Sequence, residues 1–295
     1  MKSLIIGMGI GQLYQSVLEQ LGHTVITVDM DPSRNADYLD YVAAYMVHDD
    51  TFDTVHICTP NYTHINLARF AGVHSAKIVF VEKPGVEDHT VWESLVNDFP
   101  QTRFMMVKNN QYRDEILKFK SIAQQSTAVK ITWNNYNRIP KPGSWFTNKS
   151  LSFGGVSRDL IPHMLSYYCA LTDYKKGNKL FALAEQKWQL QDIDSSDYGA
   201  VDPNGVYDVD DFCELEYKNG NTKYVLSANW RTLKDSDISI SFDMQGRAIR
   251  YELGLCPELA YKKMIQQALQ NLNNEDYWLE QLAQDIWIHK QIERL

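Results

Sequence analysis

The chain has 295 residues, 44% of them hydrophobic and 22% charged, which is an ordinary globular composition with enough chain for about two domains. A formal net charge of −8 argues against nucleic acid or an anionic membrane surface as the main partner. No apolar run approaches the roughly 18 residues of a membrane span, and MKSLIIGMGIG is too short and too glycine-broken for a signal peptide, so a cytoplasmic protein is expected. Cys58, Cys169, Cys213 and Cys256 form no CxxC pair and read as reduced thiols.

Taken in order, the chain opens on a short apolar strand, Ser3 to Ile6, that runs straight into Gly7-Met8-Gly9-Ile10-Gly11. A helical pattern follows with Leu13, Val17, Leu18 and Leu21 on one face, and then a β-branched strand, Thr24 to Val28, that closes on Asp29. Strand, glycine turn, helix, strand and an acid twenty positions after Gly9 make the context in which a glycine motif becomes a dinucleotide site. Glycines admit a pyrophosphate to the backbone, and the helix start offers N–H groups and the positive dipole end. Gly7, Gly9, Ile10, Gly11 and Gln12 therefore form the expected phosphate turn. Asp29 is expected to accept from the adenosine ribose hydroxyls and to repel a 2′-phosphate, favouring NAD over NADP. The turn departs from GxGxxG: the third glycine position is Gln12, with Gly11 beside it. Arg34 is the residue that would favour NADP by holding a phosphate.

One short helix is expected within Asn35 to Tyr45, then a strand Thr54 to Cys58 and a turn at Thr59-Pro60-Asn61. A helix from Thr63 to Val73 follows, capped by Thr63 or Asn61 and ended by Gly72. Ile78 to Val81 is an unbroken apolar run, the mark of a strand buried on both faces. It stops at Glu82-Lys83-Pro84, which delivers a charged pair to the carboxyl edge of the sheet, where open α/β sheets bind ligands. A helix over Glu87 to Asn97 and a strand over Phe104 to Val107 complete an alternating pattern that implies a parallel sheet.

The pattern then changes. A helix is expected over Tyr112 to Gln125, a strand over Val129 to Trp133, a polar loop over Arg138 to Ser152, and one helix over Val156 to Leu171 after Gly154-Gly155. Strands over Phe181 to Leu190, Asp210 to Tyr217, Thr222 to Trp230, Ile238 to Asp243 and Ala248 to Leu253 include hairpins at Asn219-Gly220 and Gln245-Gly246. Two terminal helices, Glu258 to Gln270 and Glu275 to Glu293, close the chain. The expected fold is α/β: an N-terminal Rossmann dinucleotide-binding domain over 1–112, then an α+β domain over 113–295 with a largely antiparallel open sheet for substrate and oligomerisation.

Three segments together resemble the Gfo/Idh/MocA oxidoreductase family: the glycine turn with Asp29, the run ICTPNYTHINLA followed by VEKP, and GGVSRDLIPH. The resemblance spans essentially the whole chain, including its two-domain order. It implies catalytic roles for Lys83, Asp159 and His163, with the Lys83-Pro84 bond cis. It places Thr59, Pro60 and Asn61 along the cofactor and Glu82 and Lys83 near the nicotinamide ribose. His64 stands on that same cofactor side, in a structural or capping role. The implied activity is hydride transfer between NAD and a hydroxyl or keto carbon of a small polyhydroxy molecule such as a sugar or cyclitol. The family also implies a homo-oligomer, dimer or tetramer, through the second sheet. The residues themselves suit that chemistry: an imidazole exchanges protons near neutral pH, and a lysine stabilises a developing alkoxide. A metal site at His163 and Asp159 lacks a further ligand pair. Asn110 and Arg158 are candidates for substrate hydroxyls, and Trp145 and Tyr136 are candidate substrate-side aromatics. Two departures stand out, the short segment between Asp29 and Thr54 and the Ile161-Pro162 pair before His163, where proline suits a first helical turn. A helix beginning near Leu160 would set Asp159 at its N-cap. A non-catalytic nucleotide sensor on the same fold is the rival reading, and an imine or C=C reductase a second.

Overall fold

The computed structural model describes residues 1–48 and 51–295. The chain divides into two compact units, Met1–Val107 with Pro257–Glu293, and Lys108–Cys256 with Arg294–Leu295.

The first unit is built on β1 (Lys2–Ile6), β2 (Thr24–Val28), β3 (Thr54–Ile57), β4 (Ile78–Val81) and β5 (Arg103–Met106). They lie in the order β2-β1-β3-β4-β5, every pairing parallel. β3 and β4 are buried along their whole length; β4 is accordingly an unbroken apolar run, while β3 carries Thr54 and His56 inward, bonded to one another. The helices are α1 (Gly11–Gln20), α2 (Tyr41–Val47), α3 (His64–Val73) and α4 (His89–Asp98). α2 lies later than expected because Asp40 caps it, its carboxylate accepting the Val42 N–H. Thr63 stands at the N-cap position of α3, yet its hydroxyl donates to the Pro60 carbonyl and caps nothing. Gly72 lies inside α3 rather than at its end, packed so closely that a Cβ would collide with the Phe99 ring.

The second unit contains α5 (Ile116–Ala123), β6 (Ala128–Asn134), α6 (Lys149–Ser152), α7 (Val156–Asp159), α8 (Ile161–Leu171), β7 (Asn178–Glu185), β8 (Phe212–Asn219), β9 (Thr222–Asn229), β10 (Asp237–Met244) and β11 (Arg247–Glu252). Its six strands run in the order β11-β10-β6-β9-β8-β7. All pairings are antiparallel except β6 with β9, so the sheet is mixed. Here the sequence period of two is visible: Cys213, Leu215 and Tyr217 on β8 stand opposite Ala228, Leu226 and Tyr224 on β9, and all six are buried. The loop expected over Arg138 to Ser152 contains α6, capped by the Asn148 side chain on Ser150 N–H.

The helices after the last strand change the domain boundary. α9 (Glu258–Gln270) and α10 (Glu275–Ile292) belong to the first unit, not to the 113–295 half in which chain order placed them. α9 packs on α1, with Tyr261 edge-on to Tyr14, and α10 packs on α4 and β5, where it buries Trp278, Ile288 and Ile292. Apolar faces set this partition, and chain order does not report where such a face is buried. No described helix is long and apolar enough to cross a membrane, and the four cysteines are free thiols.

Candidate functional site

The glycine turn joins β1 to α1. Gly7 has φ +96°, and a Cβ there would lie 2.6 Å from the Cys58 carbonyl oxygen, so only glycine fits. At Gly9 a Cβ would meet nothing within 4 Å, so the turn is open on that side. Gly11 performs the packing task of a third glycine one position early: its Cα faces Ile5, whose Cγ2 would stand 2.8 Å from an added Cβ. Gln12 is consequently exposed on α1. On the inner face Tyr14, rather than Leu13, is fully buried. Asp29, at the end of β2, accepts Met8 N–H (2.6 Å) and Asp31 N–H (2.9 Å), one on each carboxylate oxygen. The acid therefore fastens the turn as well as standing beside it, and it stays partly exposed.

The charged pair after β4 sits in a tight turn. The Lys83-Pro84 bond is cis, and Gly85 N–H donates to Glu82 C=O (2.9 Å), which makes this a type VI turn with Lys83 at its second position. Glu82 is only 9% exposed, and its Oε1 accepts the hydroxyl of the wholly buried Tyr14 (2.6 Å). Burial, reinforced by the Glu82 carboxylate, raises the Tyr14 pKa well above its ordinary value, so the phenol stays a donor. Lys83 is partly exposed.

His64 has the structural role expected of it on the cofactor side, with both ring nitrogens on backbone carbonyls. It is fully buried, with Nδ1 2.7 Å from Gly85 O and Nε2 2.8 Å from Thr59 O. Burial lowers its pKa; the two carbonyls oppose that shift and the Lys83 charge adds to it. Its task is to tie the Thr59-Pro60 loop to the lysine turn. Thr59 and Thr63 hydroxyls are hydrogen-bonded to one another (2.6 Å), while Thr59, Pro60 and Asn61 remain partly exposed.

Asp159 and His163 lie in the second unit. The single helix expected over Val156 to Leu171 is two, α7 and α8, broken at Leu160 because Pro162 has no N–H to continue the ladder. Leu160, not Asp159, is the N-cap of α8, and His163 N–H bonds back to Leu160 C=O (3.1 Å). Asp159 Oδ2 accepts the indole N–H of Trp230 (2.9 Å), a residue just 1% exposed. The His163 ring stacks on Trp133, centroids 5.6 Å apart and 25° between planes. Ahead of them, the Asp210 carboxylate accepts Gly155 N–H, Ser157 N–H and Ser157 Oγ–H, at 2.7 to 2.9 Å. Val156 N–H goes to the Asp210 carbonyl, and an added Cβ on Gly155 would overlap that same oxygen. Gly155 is thus obligatory. The neighbouring Asp211 is fully buried and holds Lys187 N–H, Trp188 N–H and Tyr207 O–H.

Of the other candidates, Asn110 is fully buried with its Oδ1 on Arg113 Nε (3.0 Å), and Arg158 is buried. Trp145 stacks on Phe146, and Tyr136 is 55% exposed. Sequence reasoning missed Tyr14, Trp133, Trp230 and Asp210, none of which touches its partner through near-neighbour spacing.

No family model and no curated protein matches the chain. Solved structures do match in fold. GenD2 from gentamicin A biosynthesis, solved with NAD, superposes with a TM-score of 0.76 at 15% identity, over 99% of this chain and 92% of that one. The WlbA dehydrogenase of Thermus thermophilus, solved with NAD and α-ketoglutarate, gives 0.72 at 14% identity, over 100% and 95%. A myo-inositol dehydrogenase from Corynebacterium glutamicum gives 0.71 at 12% identity, over 98% and 93%. The chain has the fold of these dehydrogenases, a Rossmann-like parallel sheet with helices followed by a mostly antiparallel sheet.

Proposed function

We propose that the protein is an NAD-dependent oxidoreductase of the Gfo/Idh/MocA type, acting on a hydroxyl or keto carbon of a sugar, sugar derivative or cyclitol. The observation that carries this is the turn between β1 and α1. A glycine that admits no Cβ is followed by one facing open space, with the Asp29 carboxylate fastened beside them. Those residues fit a dinucleotide, and the neighbours solved with NAD support the choice. Gly7, Gly9, Ile10, Gly11 and Gln12 would hold the pyrophosphate through backbone and helix start, and Asp29 the adenosine ribose. Thr59, Pro60, Asn61 and Glu82 would hold the nicotinamide side, with Tyr14 keeping Glu82 in place. Nicotinamide, when bound, accepts or supplies the hydride. His163 takes the hydroxyl proton on its imidazole during oxidation and returns it in reduction, a contribution of about 10²–10⁴ in rate. The Lys83 ammonium stabilises the alkoxide and relays the proton, and the Asp159 oxygen opposite its Trp230 bond orients the substrate. Exposed Leu180, Phe181 and Leu183 on edge strand β7 support a dimer or tetramer formed through the second sheet. Four free thiols support a cytoplasmic setting.

Thermal-shift titration with NAD and NADH, followed by a substrate panel, tests this reading. NAD at millimolar concentration should stabilise the protein. Lys83→Ala and His163→Ala should retain that stabilisation while losing at least about 10²-fold in turnover. Absence of any stabilisation by either nucleotide overturns it. Stabilisation without turnover on any hydroxyl, imine or C=C substrate replaces it with the nucleotide-sensor reading.

A further inference from the structure

A second buried histidine reaches the lysine turn from the far end of the chain. His289, on α10, is fully buried. Its Nδ1 lies 2.7 Å from the Asp285 backbone carbonyl, one helical turn earlier. A carbonyl can only accept, so Nδ1 carries the proton. On the other edge of the ring the Val86 N–H donates to Nε2 at 3.2 Å. The partners therefore specify a neutral ring with one tautomer. Val86 directly follows Gly85, whose carbonyl is the partner of His64 Nδ1 at 2.7 Å. Two histidines from α3 and α10 thus grip the two sides of a single peptide unit, Gly85–Val86, one residue beyond cis-Pro84.

The surroundings give that grip its rigidity. Trp92 of α4 stacks on His289, centroids 5.5 Å apart. A Cβ on Gly85 would stand 2.7 Å from His289 Nε2 and 3.2 Å from Met106 Sδ, so the ring and the turn leave no slack between them. α10 is itself fastened at two further points of the same unit. Asp285 Oδ2 accepts Met106 N–H on β5 (3.0 Å), and Glu293 Oε2 accepts from His89 Nδ1 (2.6 Å) and His89 N–H (3.2 Å) at the start of α4. At the other end of the turn, Glu82 is held by Tyr14.

We propose that His289 is a positioning residue for Lys83: by accepting the Val86 N–H opposite the His64 bond to Gly85, it sets the backbone from which the lysine is aimed. This rests on Lys83 serving the hydride-transfer chemistry proposed above. Displacement of a reacting group by about 1 Å costs on the order of 10²-fold in rate, so loss of the grip reads out in turnover before it reads out in cofactor affinity.

The experiment uses the full chain and three substitutions. His289→Phe keeps ring volume and the Trp92 stack but loses the acceptor. His289→Gln places an amide oxygen near the Nε2 position, and His289→Asn reaches only the Nδ1 position. The proposal expects kcat to follow the acceptor, with Gln within about threefold of the parent and Phe and Asn lower by about 10- to 100-fold, at unchanged Kd for NAD. A ring that merely fills space expects the reverse, with Phe the best variant in both kcat and Tm, and that order overturns the proposal. Should His289→Phe not fold, Gln against Asn makes the same comparison. Amide exchange at Val86 is read in parallel and needs no substrate: slow in the parent and Gln, faster in Phe or Asn. Equal protection in all overturns the proposal even if the parent shows no turnover. Altered exchange in a parent without turnover keeps the grip and removes the enzyme reading instead.

Discussion

The two segments given chemistry here are held in contrasting ways. The turn Glu82–Val86 is gripped inside the parallel-sheet unit by rings, the Tyr14 phenol and the imidazoles of His64 and His289, each bonding a carboxylate or the backbone. The segment Gly154–His163 is gripped by acids and indoles: Asp210 gathers three donors at its start, and Trp230 binds Asp159 at its end. Three buried groups add a contrast of their own. The first unit buries His56 and His64 with lowered pKa values, and the second buries Asp211 with a raised one, burial being the main cause in all three. Protons therefore act with opposite sign on the two histidines and on Asp211.

That contrast can be broken most severely at Gly155. A Cβ there overlaps the Asp210 carbonyl oxygen, a backbone atom that cannot swing aside. Gly155→Ala should cost on the order of 3 kcal/mol or more, read by urea unfolding, while NAD stabilisation of any folded fraction persists. An Ala variant as stable as the parent would mean that Asp210 does not set this segment.

Acid sharpens the difference between the units. The His56 pKa is lowered from 6.5 to about 3 by burial and then by His23, so its contribution is complete above pH 6.5 and is lost as pH falls toward 3. Within that window each pH unit costs up to about 1.4 kcal/mol. The raised pKa of Asp211 works the other way, favouring the folded state as pH falls through its raised value toward 3.8. Hydrogen exchange at pH 7 and pH 5 should show protection falling around β3 and β4 but not around β8. His56→Phe, which retains the stack on Phe80 (4.8 Å, 8°), should flatten the fall. Equal losses in both units at pH 5 would contradict the assignment.

The smallest expected effect tests the indole. Trp230→Phe removes the 2.9 Å bond to Asp159 while keeping an aromatic ring, smaller than the indole, at the site. It should cost about 1 kcal/mol in stability and raise KM more than it lowers kcat, because Asp159 is assigned to substrate orientation. A change in kcat alone would move Asp159 into the proton-transfer role.

How far the sequence could be read depended on the distance over which each contact acts. The five strands of the first sheet, the glycine turn, Asp29 and the Glu-Lys-Pro stop were all legible, because each rests on adjacent residues or a fixed period. Pro162 announced a helix start near Leu160, and the break is there. The one helix over Val156 to Leu171 was over-read because apolar periodicity continues across the break. Leu13 was chosen over Tyr14 on α1 because hydropathy alone cannot foresee a phenol whose partner, Glu82, lies 68 residues away.

By itself the sequence determined the alternation of strands and helices, the change to hairpins after Val107, and the positions of Gly7, Asp29 and Lys83. Those follow from local sterics, from periodicity and from where apolar runs stop. Tertiary structure alone decided that α9 and α10 return to the first unit, that Gly11 does the packing of a third glycine, and which backbone carbonyls His64 faces. It also decided which distant side chain completes each buried polar group. A buried donor or acceptor must find a partner wherever the fold brings one, and that partner carries no mark in the neighbouring sequence.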